Sequence, residues 1–290
     1  MTQQTDSKAE DIGNIVSMEH VNLSITDQST ANLFYIMGLG FTRDPYINVG
    51  LENMWINLGE QQFHLPTRPG PQVIPGYIGL AVPSLDGLQA RLEMVAPRLS
   101  DSRFTWSRDE QKISASCPWG NQFRIYGPDA PYAGGMLLGI PYVEFDTATG
   151  TAAGIVRFYD QVFGAQARLE DFHGHQTAFI SIGQSQHLLF TERESDRPAY
   201  DGHHIAIYVG DFSGPCSFLE EHGLITENLA GHQIRFQSIV DPESEQIVFT
   251  LEHEVRSLKH PMFRRPLINR DPDQNQAAYA RGRDALVPYK

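Results

Sequence analysis

From Glu19 onward, polar and apolar residues alternate. In His20-Val21-Asn22-Leu23-Ser24-Ile25 the apolar side chains share one face and His, Asn and Ser the other, the pattern of a half-buried strand. Ser29 and Thr30 offer N-caps for a helix over 31–37, which Gly38-Leu39-Gly40 ends. Short alternating strands are predicted at 53–58 and 61–65, ahead of a Pro/Gly-rich break over 66–76. The same order then recurs. A strand over 77–82 precedes apolar residues at helical spacing from Leu85 to Leu99, and strands follow near 103–107, 112–117 and 121–126. The Pro/Gly-rich stretch 127–135 reads as a linker.

The second half repeats the first at a fixed offset. Phe34-Tyr35 and Gly40 return as Phe158-Tyr159 and Gly164, and Gly59 as Gly183, each 124 residues later. A fourth unit opens at His204-Ile205-Ala206-Ile207-Tyr208-Val209, with a helix over 213–223 and closing strands near 232–240 and 246–254. The chain therefore reads as an α+β protein of four βαβββ units. Taken in consecutive pairs they give a flexible leader at 1–17, a first paired domain at 18–130, a second at 138–256 and a C-terminal arm at 257–290. That arm is basic and proline-bearing at its start, expected to lie across the body or a partner subunit, and its last dozen residues are expected to be disordered.

Composition narrows the functional classes. With 290 residues, 41% hydrophobic and 20% charged, this is folded globular material. Its 22 Lys+Arg against 35 Asp+Glu leave a net charge of −13, which argues against nucleic acid or an anionic membrane as partner. Cys117 and Cys216 are too few for a disulfide framework or a Cys-rich zinc site. No apolar run reaches the roughly 18 residues of a membrane span, and the polar N-terminus lacks a signal-peptide core, so a cytoplasmic location is expected. The 11 histidines raise metal binding or acid/base chemistry.

The chain resembles the vicinal oxygen chelate superfamily, which includes glyoxalase I, bleomycin and fosfomycin resistance proteins and extradiol ring-cleavage dioxygenases. The resemblance lies in "EHVNLSITD" opening a unit, Phe-Tyr-x4-Gly closing its helix, "PWGNQFRIYGP" and "HHIAIYVGD", and it spans roughly 18–255. It implies two cups, each lined by the polar faces of a pair of units, with metal ligands on their opening and closing strands.

Strand phase then assigns the linings. In the first half, His20, Asn22, Trp55, Gln62, His64, Tyr77, Arg124 and Tyr126 face inward; in the second, Tyr142, Glu144, His204, Tyr208, Val248, Glu252 and Glu254 do. The favoured metal set is Glu144, His204 and Glu252. His20, His64 and Tyr208 are the candidate catalytic groups, and Asn22, Trp55, Gln62, Tyr77, Arg124, Tyr126 and Tyr142 the candidate substrate contacts. Whether Tyr142 or Glu144 takes the opening-strand position is open, and the closing position, counted from the turn, falls on Val248. Salt bridges to Arg256 or another base are the plain alternative for Glu252 and Glu254, as is a salt bridge for Arg124. The resemblance implies an enzyme in which a divalent metal, Fe(II) first and Mn(II) or Zn(II) as alternatives, chelates neighbouring oxygens of a small organic substrate. A metal-free sequestration protein and a metal-free isomerase or lyase are the alternatives. A homodimer is left open.

Overall fold

The computed structural model describes residues 11–47, 50–194, 198–229 and 232–281. Sixteen strands fall into four units of one order. The first unit comprises β1 (Ile15–Asn22), α1 (Gln28–Ala31, continuing as π-helical Asn32–Gly38), β2 (Thr42–Arg43), β3 (Asn53–Leu58) and β4 (Gln61–Pro66). The second has β5 (Gly76–Ala81), α2 (Leu85–Val95), β6 (Thr105–Arg108), β7 (Lys112–Ser116) and β8 (Gln122–Tyr126). In the third are β9 (Gly139–Thr147), α3 (Ala152–Phe163), β10 (Ala167–Phe172), β11 (His175–Ser181) and β12 (His187–Glu192). The fourth contains β13 (His204–Val209), α4 (Ser213–Glu221), β14 (Ile225–Leu229), β15 (Gln233–Val240) and β16 (Ile247–Ser257).

Local chemistry explains the elements. Asp27, not Ser29 or Thr30, caps the first helix, accepting from the backbone N–H groups of both. The matched glycines serve one purpose in each half: Gly40 and Gly164 hold φ of +79° and +59° where the chain leaves its helix. Strand β1 begins at Ile15, so the expected leader is shorter at its inner end; residues 1–10 lie outside the described residues.

The units do not pair consecutively. One sheet runs β14-β15-β16-β13-β1-β4-β3-β2 and the other β10-β11-β12-β9-β5-β8-β7-β6. The first unit thus joins the fourth through antiparallel β1 and β13, and the second joins the third through β5 and β9. This corrects the expected division at 130. Each opening strand carries a free hydrogen-bonding edge, and alternation along it does not say which other opening strand will fill it.

The main core lies between the sheets and holds the helices. Phe34 of the first helical stretch meets Phe123 of one sheet, and its neighbour Tyr35 meets Phe63 of the other. Helix α3 does the same, with Phe158 against Phe236 and Tyr159 against Phe190. His253 is fully buried in this core and bonded to Tyr159 Oη at 2.6 Å. The arm crosses the first sheet: Phe263 packs on Tyr208, Arg265 pairs with Asp44, and Asn269 bonds both the N–H and the carbonyl of Gly59. Residues 282–290, most of the dozen expected to be disordered, lie outside the described residues. Among the described residues no helix is long and apolar enough to cross a membrane.

Candidate metal centre

Strand register places the histidines. His20 on β1 lies beside Gln62 of parallel β4, and His64 stands two residues further along β4, beside Asn22. Across the junction of β1 and β13, Asn22 faces His204. His20, His64 and His204 therefore meet on one face of the first sheet, and their ligand atoms all lie within 4.8 Å of one another. Three nitrogens on one zinc-sized ion sit roughly 3 to 3.5 Å apart, so an ion would draw the rings in by about an ångström. Consecutive pairing of the units would put His20 and His64 in a different cup from His204; the β1–β13 junction brings the three together.

Hydrogen bonds set which nitrogen the His20 and His64 rings offer. His20 Nδ1 lies 3.1 Å from Glu19 Oε2; a carboxylate only accepts, so Nδ1 carries the proton and Nε2 the lone pair. His64 Nε2 is 3.1 Å from Asn53 Oδ1, which leaves Nδ1 as its free acceptor. His204 turns Nδ1 to Glu252 at 3.5 Å. The Nε2 atoms of His20 and His204 are buried without a hydrogen-bond partner among the described residues. Leaving such atoms unsatisfied is costly, and a cation would complete both. Burial, followed by the neighbouring His20, pulls the pKa of His64 down to about 3 and that of His204 to about 2, so both rings are neutral and ligand-ready at physiological pH.

The same register names a fourth corner. Glu252 lies beside His204, and Glu254 two residues on, as His64 lies two residues past Gln62. Glu254 thus stands in the fourth unit where His64 stands in the first, with Oε2 3.8 Å from His204 Nε2. Counting from the turn had reached Val248, short of it because β15 and β16 slip register between Phe236 and Ser238 and again between Ile239 and Val240. Arg235 holds Glu252 and Glu254 at 2.6 Å each, and Arg256 bridges Glu254 to Glu19. Three carboxylates against two guanidiniums leave this floor one negative charge in excess, which favours a cation. Burial works to raise the pKa of Glu19, but His20, Arg256 and Tyr208 overcome it and hold the group at about 2.

Glu144 is not part of this site. It lies in the second sheet, completely buried between Arg124 (2.5 Å) and Arg193 (2.9 Å). Glu252 shares the His204 cup but is committed to Arg235 and Gln237, with 3.1 Å to the latter. Of the expected set Glu144, His204 and Glu252, His204 joins the cluster with His20 and His64, Glu252 lies beside it in an ion pair, and Glu144 lies in the other sheet.

The expected substrate contacts divide the same way. Asn22, Trp55 and Gln62 line the histidine cup. The Trp55 ring stacks on His64 at 4.0 Å and 9°, and Trp55 Nε1 and Asn22 Oδ1 are buried without a hydrogen-bond partner among the described residues. Gln62 is engaged with Asp44 and Asn57. Tyr77, Arg124, Tyr126 and Tyr142 line the second cup, which the chain fills itself. The linker turn at Pro131–Ala133 brings Ala133, Met136 and Tyr132 against Tyr126, Tyr142 and Phe172. Arg124 lies over the Tyr77 ring at 3.6 Å. The Tyr142 ring crosses Gly79 so closely that a Cβ there would sit 2.3 Å from it. Tyr208 Oη donates to Glu19 at 2.7 Å, and burial pushes its pKa up. A cavity of about 840 Å³ is lined by Glu19, Gln62 and Tyr208 together with Phe263 and Arg265 of the arm.

No family model matches the chain, and no curated protein matches it in sequence. Solved structures do match in fold. Glyoxalase I from Zea mays superposes with a TM-score of 0.58 at 14% identity, over 87% of this chain and 95% of that one. A protein of Bacillus subtilis provisionally assigned as a dioxygenase superposes with a TM-score of 0.56 at 12% identity, over 85% and 86%. The likeness is one of architecture: the chain, with two eight-stranded sheets built from four βαβββ units, shares its fold with these two structures.

Proposed function

We propose that the protein is a metal-dependent enzyme acting on a small organic molecule, with a divalent ion held by His20, His64 and His204 and Glu254 beside them as a further ligand. One observation carries the reading: the ligand atoms of three histidines converge, and two of the three rings have an Nε2 that is buried without a hydrogen-bond partner among the described residues. A divalent ion there would supply Lewis-acid polarisation to two neighbouring oxygens of a bound substrate. Imidazole donors suit Fe(II) and Zn(II), and a carboxylate such as that of Glu254 suits Mn(II). Trp55 Nε1 and Asn22 Oδ1, donor and acceptor respectively, would orient the substrate's remaining polar groups. Tyr208 is spent on holding Glu19, so it acts through position and not as the group that moves a proton. The filled second cup serves stability.

A metal-free small-molecule carrier is the competing reading, favoured by the ion pairs that already engage Glu252 and Glu254. Metal analysis separates the two. Protein stripped of metal and reloaded separately with Fe(II), Mn(II) or Zn(II) should retain close to one ion per chain, and the His204→Ala variant should retain almost none. A wild-type chain that holds no ion under all three loadings rejects the enzyme reading. Adding catechols and O2 to the Fe(II)-loaded protein then tests the ring-cleaving version.

A further inference from the structure

We infer that Glu19 is a positioning residue that fixes the tautomer of His20 and thereby aims its Nε2 at the ion; the second half of that statement rests on the metal reading above. Adjacent residues of a regular strand point to opposite faces. Strand β1 escapes this through a register shift between Met18 and His20 in its pairing with β13, and Glu19 Oε2 comes within 3.1 Å of His20 Nδ1. An irregularity that re-aims one side chain beside a site is a known use of a bulge.

Glu19 is itself held from two further directions. Tyr208 donates to its Oε1 at 2.7 Å, and Arg256 pairs with its Oε2. Arg256 is fixed in turn by Gln233 Oε1 at 3.0 Å, and Tyr208 is backed by Phe263 at 4.9 Å between ring centroids. The carboxylate is therefore buried, doubly anchored and able only to accept. His20 must present Nδ1–H to it, which leaves the lone pair on the buried, unpartnered Nε2. Among the described residues His64 and His204 lack such a partner: one meets a neutral amide oxygen and the other a carboxylate 3.5 Å away. Of the three histidines His20 is the one with a short carboxylate bond, the arrangement that orients a ligating ring and raises its basicity.

The test uses the full chain with ¹⁵N-labelled histidine, metal-free at pH 8. Long-range ¹H–¹⁵N correlations, assigned with a His20→Gln spectrum, should show wild-type His20 protonated on Nδ1. In Glu19→Gln the side-chain amide can donate, and His20 should shift towards the Nε2–H form. Zn(II) affinity, read by chelator competition, should fall about 10- to 100-fold in Glu19→Gln and by less in Tyr208→Phe, which removes one anchor and keeps the charge. Wild-type His20 found protonated on Nε2 overturns the inference, even if Glu19→Gln does not fold. An unchanged tautomer with unchanged zinc affinity in Glu19→Gln overturns it as well. Wild-type protein that binds no metal would reject the proposed function, while the wild-type tautomer would still decide the role of Glu19.

Discussion

Tyr142 stands in the second sheet where His204 stands in the first. His204 faces Asn22 across the β1–β13 junction, and Tyr142 faces Gly79 across the matching β5–β9 junction. Carried through the registers, the four corners His20, His64, His204 and Glu254 become Tyr77, Arg124, Tyr142 and Leu189. The second set contains no histidine or carboxylate. One fold thus carries two cups, and one has a donor set for a metal.

Metal content should follow this division. Single alanine substitutions at His20, His64 or His204 should each reduce bound metal to a small fraction of the wild-type stoichiometry. Tyr142→Phe should leave it unchanged. Elemental analysis of reloaded variants decides, and a retained ion in His64→Ala would shrink the set to two histidines.

Glu144→Gln should damage stability and spare the metal. Breaking a buried ion pair by removing one partner costs about 3 to 5 kcal/mol, and here two guanidiniums, those of Arg124 and Arg193, lose their shared carboxylate. A chemical denaturation midpoint well below wild type, with full metal loading at low denaturant, is the expected outcome.

Acid should destabilise the core through His253. Burial lowers its pKa from 6.5 to about 4, while its Nδ1 bonds the Leu251 carbonyl and its Nε2 accepts from Tyr159. The folded group resists the proton that the unfolded one takes up. Its contribution is therefore present above pH 6.5 and is lost as the pH falls from 6.5 through 4, on the order of 3 kcal/mol in total. His253→Phe, which keeps the stack on Phe236, should flatten this part of the stability profile measured by urea unfolding between pH 4 and 7.

Asn269→Ala should loosen the arm. The Asn269 side chain closes two hydrogen bonds onto Gly59, 2.9 Å to its N–H and 2.8 Å to its carbonyl, in a buried setting. Their loss should cost about 1 to 3 kcal/mol. Faster hydrogen exchange at Gly59 and across residues 263–270 would register the change, and unaltered exchange would show that Arg265 and Asp44 suffice.

Much of the fold was legible in the sequence. The alternation through His20, Asn22 and Ser24 gave β1, the spacing of Leu85, Leu88 and Leu92 gave α2, and the 124-residue offset gave the repeat. Pairing of the units was not, since it depends on edges that look alike from within each strand. The site was half legible for the same reason. His20, His64 and His204 were each placed on a pocket face, but only the β1–β13 junction unites them. Glu254 was hidden by the slips in β15 and β16, which defeat counting from a turn. Glu19 was hidden by the irregularity in β1, since strict alternation would bury it opposite His20.

Pairing the first unit with the fourth also sets the order in which the molecule can be made. Tyr208 and Glu19 are 189 residues apart, and Arg256 and Glu19 are 237 apart. Contacts between such distant residues form late, because the loop they close is long. The second and third units are neighbours in sequence and can complete their sheet as soon as β12 leaves the ribosome. The first unit, with two of the three histidines, must wait with the edge of β1 open until β13 arrives. No fragment that stops short of β13 can assemble the three-histidine centre, because His204 opens that strand.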